Sequence, residues 1–112
     1  MPFKKKDALL AMTAHIIYNS IDTKNSATQS KKLMNIIRKK IAFKNIIMSD
    51  DISMKALKYS ILKNTTQAFN AGCDIVLHCN GKYNEMLIVA KNSPLLSNFV
   101  IKKTSQLLNI IR

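Results

Sequence analysis

The chain has 112 residues, 47% of them apolar, which suffices for one modest domain with a packed core and excludes a disordered polypeptide. Lys and Arg number 18 against 6 Asp and Glu, a net charge of +12 that raises nucleic acid or an anionic membrane as a partner. The cations are almost all Lys, however, with Arg only at 38 and 112, whereas phosphate and base-edge recognition favour the planar guanidinium. Lys, Ile and Asn are abundant together, and A/T-rich codons account for the charge without a selected partner, so no specific nucleic-acid function is expected.

Lys4-Lys5-Lys6 ahead of the apolar stretch from Ala8 to Ala14 faintly imitates a secretory leader, but Asp7 intervenes and the stretch is short. It reads instead as a strand centred on Leu9-Leu10-Ala11-Met12-Thr13, buried on both faces. No apolar run approaches the roughly 18 residues that cross a bilayer, so no membrane span is expected. Residues 14 to 25 read as a loop.

Ser30 is placed to cap a helix in which Leu33, Met34, Ile37 and Ile41 recur at helical spacing, with Lys31, Lys32, Lys39 and Lys40 between them. Ile46-Ile47-Met48 is a second continuous apolar run and predicts a central parallel strand, bounded by Lys44-Asn45 and Ser49-Asp50-Asp51. Ser53 then predicts the cap of a helix of about five turns, with Leu57, Ile61, Ala68 and Phe69 as its buried stripe and Gly72 at its end. A third strand, Ile75-Val76-Leu77, precedes an Asn80-Gly81 turn and helical segments over 85–91 and 98–111, separated by Pro94.

Cys73 and Cys79 flank that third strand, and at about 3.3 Å per residue they lie roughly 20 Å apart, beyond disulfide reach. Their spacing fits neither a zinc ribbon nor a Cys-x-x-Cys redox pair. Two reduced thiols in or near the core of a cytoplasmic protein are expected, with no metal and no cofactor. The alternation of strand and helix predicts an α/β fold with a parallel sheet and right-handed crossovers. Three such units neither close a barrel nor complete a doubly wound sheet.

The segment Ile36-Ile37-Arg38-Lys39-Lys40, followed after four residues by Asn45-Ile46-Ile47-Met48-Ser49-Asp50-Asp51-Ile52-Ser53, resembles the active-site signature of glycoside hydrolase family three. Extended through Met54-Lys55-Ala56-Leu57, it is similar to the nucleophile segment of the bacterial β-N-acetylglucosaminidases that trim cell-wall fragments during recycling. Ala11-Met12-Thr13-Ala14-His15-Ile16-Ile17-Tyr18 resembles the preceding strand and loop of that subgroup, and Ala71-Gly72-Cys73-Asp74-Ile75-Val76-Leu77-His78-Cys79-Asn80 its final strand. Asn45 departs from the signature, which has Gly before the strand; Asn tolerates the left-handed turn that Gly would supply.

The resemblance implies that residues 1–112 are the C-terminal part of a (β/α)8 barrel, about three β/α units of eight. It implies Asp50 as catalytic nucleophile at the C-terminal end of a barrel strand, with His15 and Met54 bordering the bound sugar. Without it, an Asp-Asp pair after an apolar run reads as a cap or a solvated turn, a reading that Asp51 keeps. Similarly, His15 and His78 read as hydrogen-bonded structural imidazoles and Met54 as a core contact at a helix start.

A family barrel takes about 250 residues, and nothing in this chain resembles the Lys-His-Phe-Pro-Gly-His-Gly-like segment beside the subgroup's His general acid/base. The expectation is therefore a chain that keeps a nucleophile, lacks turnover by itself and self-associates through open sheet edges. Three readings remain open. A separate N-terminal partner chain could complete an enzyme acting on an N-acetylglucosamine-containing saccharide. The chain could be the product of a decayed gene or of a misassigned start. Last is a basic module binding nucleic acid or anionic lipid.

Overall fold

A computed structural model of the chain describes residues 8–111; the Lys4-Lys5-Lys6 run and Arg112 lie outside them. Three strands, β1 (Leu10–Thr13), β2 (Ile46–Asp51) and β3 (Ile75–Leu77), form one parallel sheet in the order β1-β2-β3. Each crossover carries a helix: α1 (Lys31–Asn35, continuing as a π-helical turn over Ile36–Lys40) and α2 (Ile61–Ala71). α3 (Tyr83–Asn92) and α4 (Asn98–Ile111) follow β3. The expected α/β class and parallel sheet are present, and α4 has the bounds its sequence pattern predicts.

The register pairs Leu10 with Ile46 and Met12 with Met48, while Met48 pairs with Ile75. Side chains alternate across a strand, so Ala11, Ile47 and Val76 face the helices. They pack there with Met34, Phe43, Ala68, Ala71 and Cys73 in the core. The opposite face carries Leu10, Met12, Ile46, Met48 and Ile75. Ile46 is buried and α4 lies against β2, but Leu10 and Met12 are 39% and 52% exposed. β1 is therefore not buried on both faces, as its apolar run predicted.

Ser30 does cap α1, accepting a hydrogen bond from Leu33 N–H (3.1 Å). The helix then widens, as the Ile41 N–H reaches back five residues to the Ile36 carbonyl (3.0 Å). That extra residue per turn rotates Ile41 off the apolar stripe, so Met34 is buried and Ile41 is half-exposed. Ala42 ends the segment at φ 61°. Asn45 does not adopt the left-handed backbone expected of it. Instead its Nδ2 donates to the Ala8 carbonyl (2.8 Å) and its carbonyl accepts from Arg38 Nη1 (2.7 Å).

The second helix starts later than its sequence pattern predicts. Ser60, not Ser53, caps α2, accepting from Lys63 N–H (3.2 Å), and the helix has 11 residues. Ser53 is occupied instead in the turn after β2, where its N–H and hydroxyl donate to the Asp51 carboxylate. Residues 52–60 form turns pinned by Ile52 and Leu57, both buried, and by Asn64 Nδ2 donating to the Ile52 and Tyr59 carbonyls. Gly72 ends α2 as expected, at φ 132°, with its N–H donating to the Ala68 and Phe69 carbonyls.

Candidate active site

β2 extends through Ser49-Asp50-Asp51 rather than stopping before them, so the acidic pair occupies the C-terminal end of the central strand. Ser49 is fully buried, and its hydroxyl oxygen accepts the Leu77 N–H (3.0 Å) where the β2–β3 register slips. Alternation then turns Asp50 to the face opposite the Ile47 core, in line with Met48. It is partly buried, and among the described residues one hydrogen bond reaches its carboxylate, from Asp51 N–H to Oδ1 (2.7 Å).

Asp51 has a different occupation. Its Oδ1 accepts from Ser53 N–H (3.0 Å), the Ser53 hydroxyl (2.8 Å) and Cys79 N–H (3.0 Å), tying the end of β2 to the segment after β3. Burial pushes the Asp51 carboxyl up, but the Ser53 and Cys79 donors, with the charge of His78, outweigh it and hold the group below its ordinary value. This is the turn-supporting role that the acidic pair suggests without any resemblance.

His15 lies beyond β1 with both ring nitrogens engaged: Nδ1 is 2.8 Å from Thr28 Oγ1 and Nε2 is 2.7 Å from the Asp51 carbonyl oxygen. Thr28 is fully buried and also meets the Thr13 hydroxyl (2.9 Å). A crevice of 230 Å³ beside His15, between the loop after β1 and the loop after β2, is lined also by Ser26, Gln29, Leu57 and Tyr59. The structure thus brings His15 to the strand end that carries Asp50. Met54 sits in the turn after Asp51, its N–H donating to the Asp51 carbonyl (3.2 Å), and is 43% exposed. It is not the core contact at a helix start that its residue type suggests.

His78 follows β3, and its Nε2 pairs with Glu85 Oε1 (3.0 Å) on α3 while its Nδ1 is buried. The His78 hydrogen bond, then that from Asn80, holds the Glu85 carboxyl below its ordinary value. Both cysteines are free. Burial pushes the Cys73 thiol up to about 12, whereas Cys79 is exposed rather than near the core. Among the described residues no cluster of His, Cys, Asp and Glu could hold a metal ion, and no helix is long and apolar enough to cross a membrane. A larger apolar cavity of 510 Å³ lies among α2, β3, α3 and α4, at the end of the sheet opposite Asp50.

Sequence reasoning missed Ser53 and Thr28. The Asp51-x-Ser53 spacing is an Asx-turn signal that could have found the first. Nothing local marks Thr28, whose partners come from β1 and its loop.

Residues 2–110 match the profile of the glycosyl hydrolase family 3 N terminal domain. The chain belongs to this family. It is 36% identical over 97 residues to a β-hexosaminidase of Haemophilus influenzae (strain PittEE), an alignment covering 80% of this chain and 27% of that protein. Against a β-hexosaminidase of Neisseria meningitidis serogroup C it is 44% identical over 71 residues, covering 62% and 20%. Among solved structures, native NagZ from Neisseria gonorrhoeae superposes with a TM-score of 0.68 at 29% identity, covering 91% of this chain and 29% of that one. The β-N-acetylglucosaminidase from Thermotoga maritima gives 0.65 at 31% identity, covering 74% and 19%. The chain spans about a quarter of the length of the curated relatives it matches. Its three β/α units are a partial (β/α)8 barrel.

Proposed function

We propose that Asp50 is the nucleophile of a retaining β-N-acetylglucosaminidase site, of which this chain supplies one part. The observation that carries the reading is the position of Asp50 at the C-terminal end of the central parallel strand. Its carboxylate takes a single hydrogen bond among the described residues and, by strand alternation, lies on the sheet face turned away from the core of Ile47, Met34 and Ala68. Barrel enzymes assemble their chemistry at that end. A retaining mechanism needs one carboxylate to attack the anomeric carbon and a second group to protonate the departing oxygen.

Asp50 fills the first role alone. Asp51 is spent on Ser53 and Cys79, and His78 is paired with Glu85. The general acid and most sugar contacts therefore come from other β/α units, carried by an N-terminal partner chain or segment. His15 and Met54 border the sugar at the rim. Proton transfer contributes about 10² to 10⁴-fold to such reactions, so the 112-residue chain by itself does not turn over. The completed enzyme removes terminal N-acetylglucosamine from cell-wall fragments in the cytoplasm, a compartment in which two unpaired thiols persist.

The test is release of chromophore from an aryl N-acetyl-β-glucosaminide. The chain is assayed alone and after mixing or fusion with the N-terminal β/α units of a family 3 β-N-acetylglucosaminidase. No release alone, and release on completion that Asp50→Asn abolishes, is the expected pattern. Completed activity indifferent to Asp50→Asn overturns the assignment, and turnover by the isolated chain overturns its dependence on further units.

A further inference from the structure

We propose that His15 is a positioning residue that acts on Asp50 through the Asp51 backbone, its tautomer fixed by the Asp51 carbonyl and matched by the buried Thr13–Thr28 hydroxyl pair. The inference rests on the reading of Asp50 as nucleophile and adds what holds that carboxylate in place.

The Asp51 carbonyl oxygen is the one atom in the network whose role is fixed. A carbonyl oxygen can only accept, so the 2.7 Å contact between His15 Nε2 and the Asp51 oxygen requires the proton on Nε2. In the neutral imidazole Nδ1 is then an acceptor, and the single Thr28 hydroxyl proton, with Nδ1 at 2.8 Å and the Ala14 carbonyl at 3.2 Å both in reach, goes to the nearer Nδ1. Having spent its proton, the Thr28 oxygen accepts from the Thr13 hydroxyl at 2.9 Å. Thr28 is fully buried and Thr13 is 7% exposed, so water does not compete for these hydroxyls. The hydrogen bonds form a directed chain: Thr13 to Thr28 to His15 to Asp51.

The chain ends where it affects the site. The peptide unit whose carbonyl His15 holds belongs to the residue whose N–H donates to Asp50 Oδ1 (2.7 Å). The carboxylate of Asp51 is fastened separately to Ser53 and Cys79. The residue after the proposed nucleophile is therefore held at its carbonyl by β1's loop and at its side chain by β3's, and its N–H is left to orient Asp50. Because both ring nitrogens of His15 are engaged within the protein, the imidazole can offer a sugar only its ring face.

The chain contains two histidines, so His78→Gln leaves His15 as the sole imidazole in a ¹⁵N-histidine-labelled sample. Magic-angle spinning NMR of the sedimented protein at pH 8 reads the tautomer without substrate and whatever the association state. A protonated Nε2 with an unprotonated Nδ1 is expected, and Thr28→Val should shift the Nδ1 resonance. A dominant Nδ1–H tautomer, or an Nδ1 resonance indifferent to Thr28→Val, overturns the proposal. In the completed enzyme, His15→Ala should lower kcat roughly 10- to 100-fold with KM within about twofold, and His15→Gln, which keeps a donor, should restore part of it. A raised KM at unchanged kcat makes His15 a substrate contact and overturns the positioning role. The NMR result stands whether or not Asp50 is the nucleophile, so the two failures are distinguishable.

Discussion

Arg38 and Asp74 close the N-terminal end of β2: Arg38 Nη2 donates to Asp74 Oδ2 at 2.7 Å, and the same oxygen accepts the Ile47 N–H at 2.8 Å. Arg38 Nη1 also serves the Phe43 and Asn45 carbonyls, so a single guanidinium fixes the chain entering the strand whose other end carries Asp50. Arg38→Ala is expected to lower stability by about 2–3 kcal/mol, measured by urea denaturation. Arg38→Lys should recover little, because a single ammonium cannot reproduce the planar fork.

Asp22 gives the fold an acid-sensitive clasp. The Ser30 hydroxyl (2.8 Å) and the Lys24 and Asn25 N–H groups donate to its carboxylate and hold it down to about 2 from 3.8. A depressed folded-state value means that the contribution to stability is full above the unfolded value and is lost as pH falls from about 4 to about 2. Asp22→Asn should therefore be less stable than wild type at pH 6, with the difference vanishing toward pH 2. Thermal melts across that range check it; a constant difference would show that the charge is irrelevant.

Gly72 is held at φ 132°, and an added Cβ would lie 3.3 Å from Met34 Cβ and Cγ. Backbone strain and the crowded core neighbour act together. Gly72→Ala should cost about 1–3 kcal/mol, whereas Gly81→Ala, with open space around it, meets the backbone penalty alone. Urea midpoints of the two variants check the order, with Gly72→Ala the more destabilised.

Leu10 and Met12, exposed on β1 at the edge of the sheet among the described residues, should drive association of the isolated chain. Sedimentation velocity is expected to find oligomers, and Met12→Lys together with Leu10→Lys should shift the population toward monomer. A wild-type chain that sediments as a compact monomer would contradict this.

Much of the fold is legible in the residues because each strand opens with an unbroken apolar run, and because Ser30 and Gly72 carry local signals that no tertiary contact reverses. The rest turned on competition between neighbours. Ser53 and Ser60 are equally good caps by type; what separates them is that residues 52–60 are held in turns, with Ser53 N–H bound to the Asp51 carboxylate and Asn64 gripping the Ile52 and Tyr59 carbonyls. The π-helical turn that turns Ile41 outward, and the strand that runs on through Asp50 and Asp51, have no signature in hydrophobic spacing. At the site, the acidic pair was legible as a pair, with Asp51 as a turn support. The engagement of His15 was not, because Thr28 and the Asp51 carbonyl reach it from distant parts of the chain.

The parallel register has a further consequence, for the rate of folding. The paired strands are consecutive in sequence but parallel, so each pairing spans a whole crossover with its loop and helix and, among the described residues, no hairpin exists to nucleate the sheet. Loop-closure entropy must be met before the first ladder bond forms, which assigns this small chain to the slower folders of its size. While that search lasts, Ile46-Ile47-Met48 is an uncharged apolar segment without its neighbours, and its competitor for pairing is the same segment of another copy.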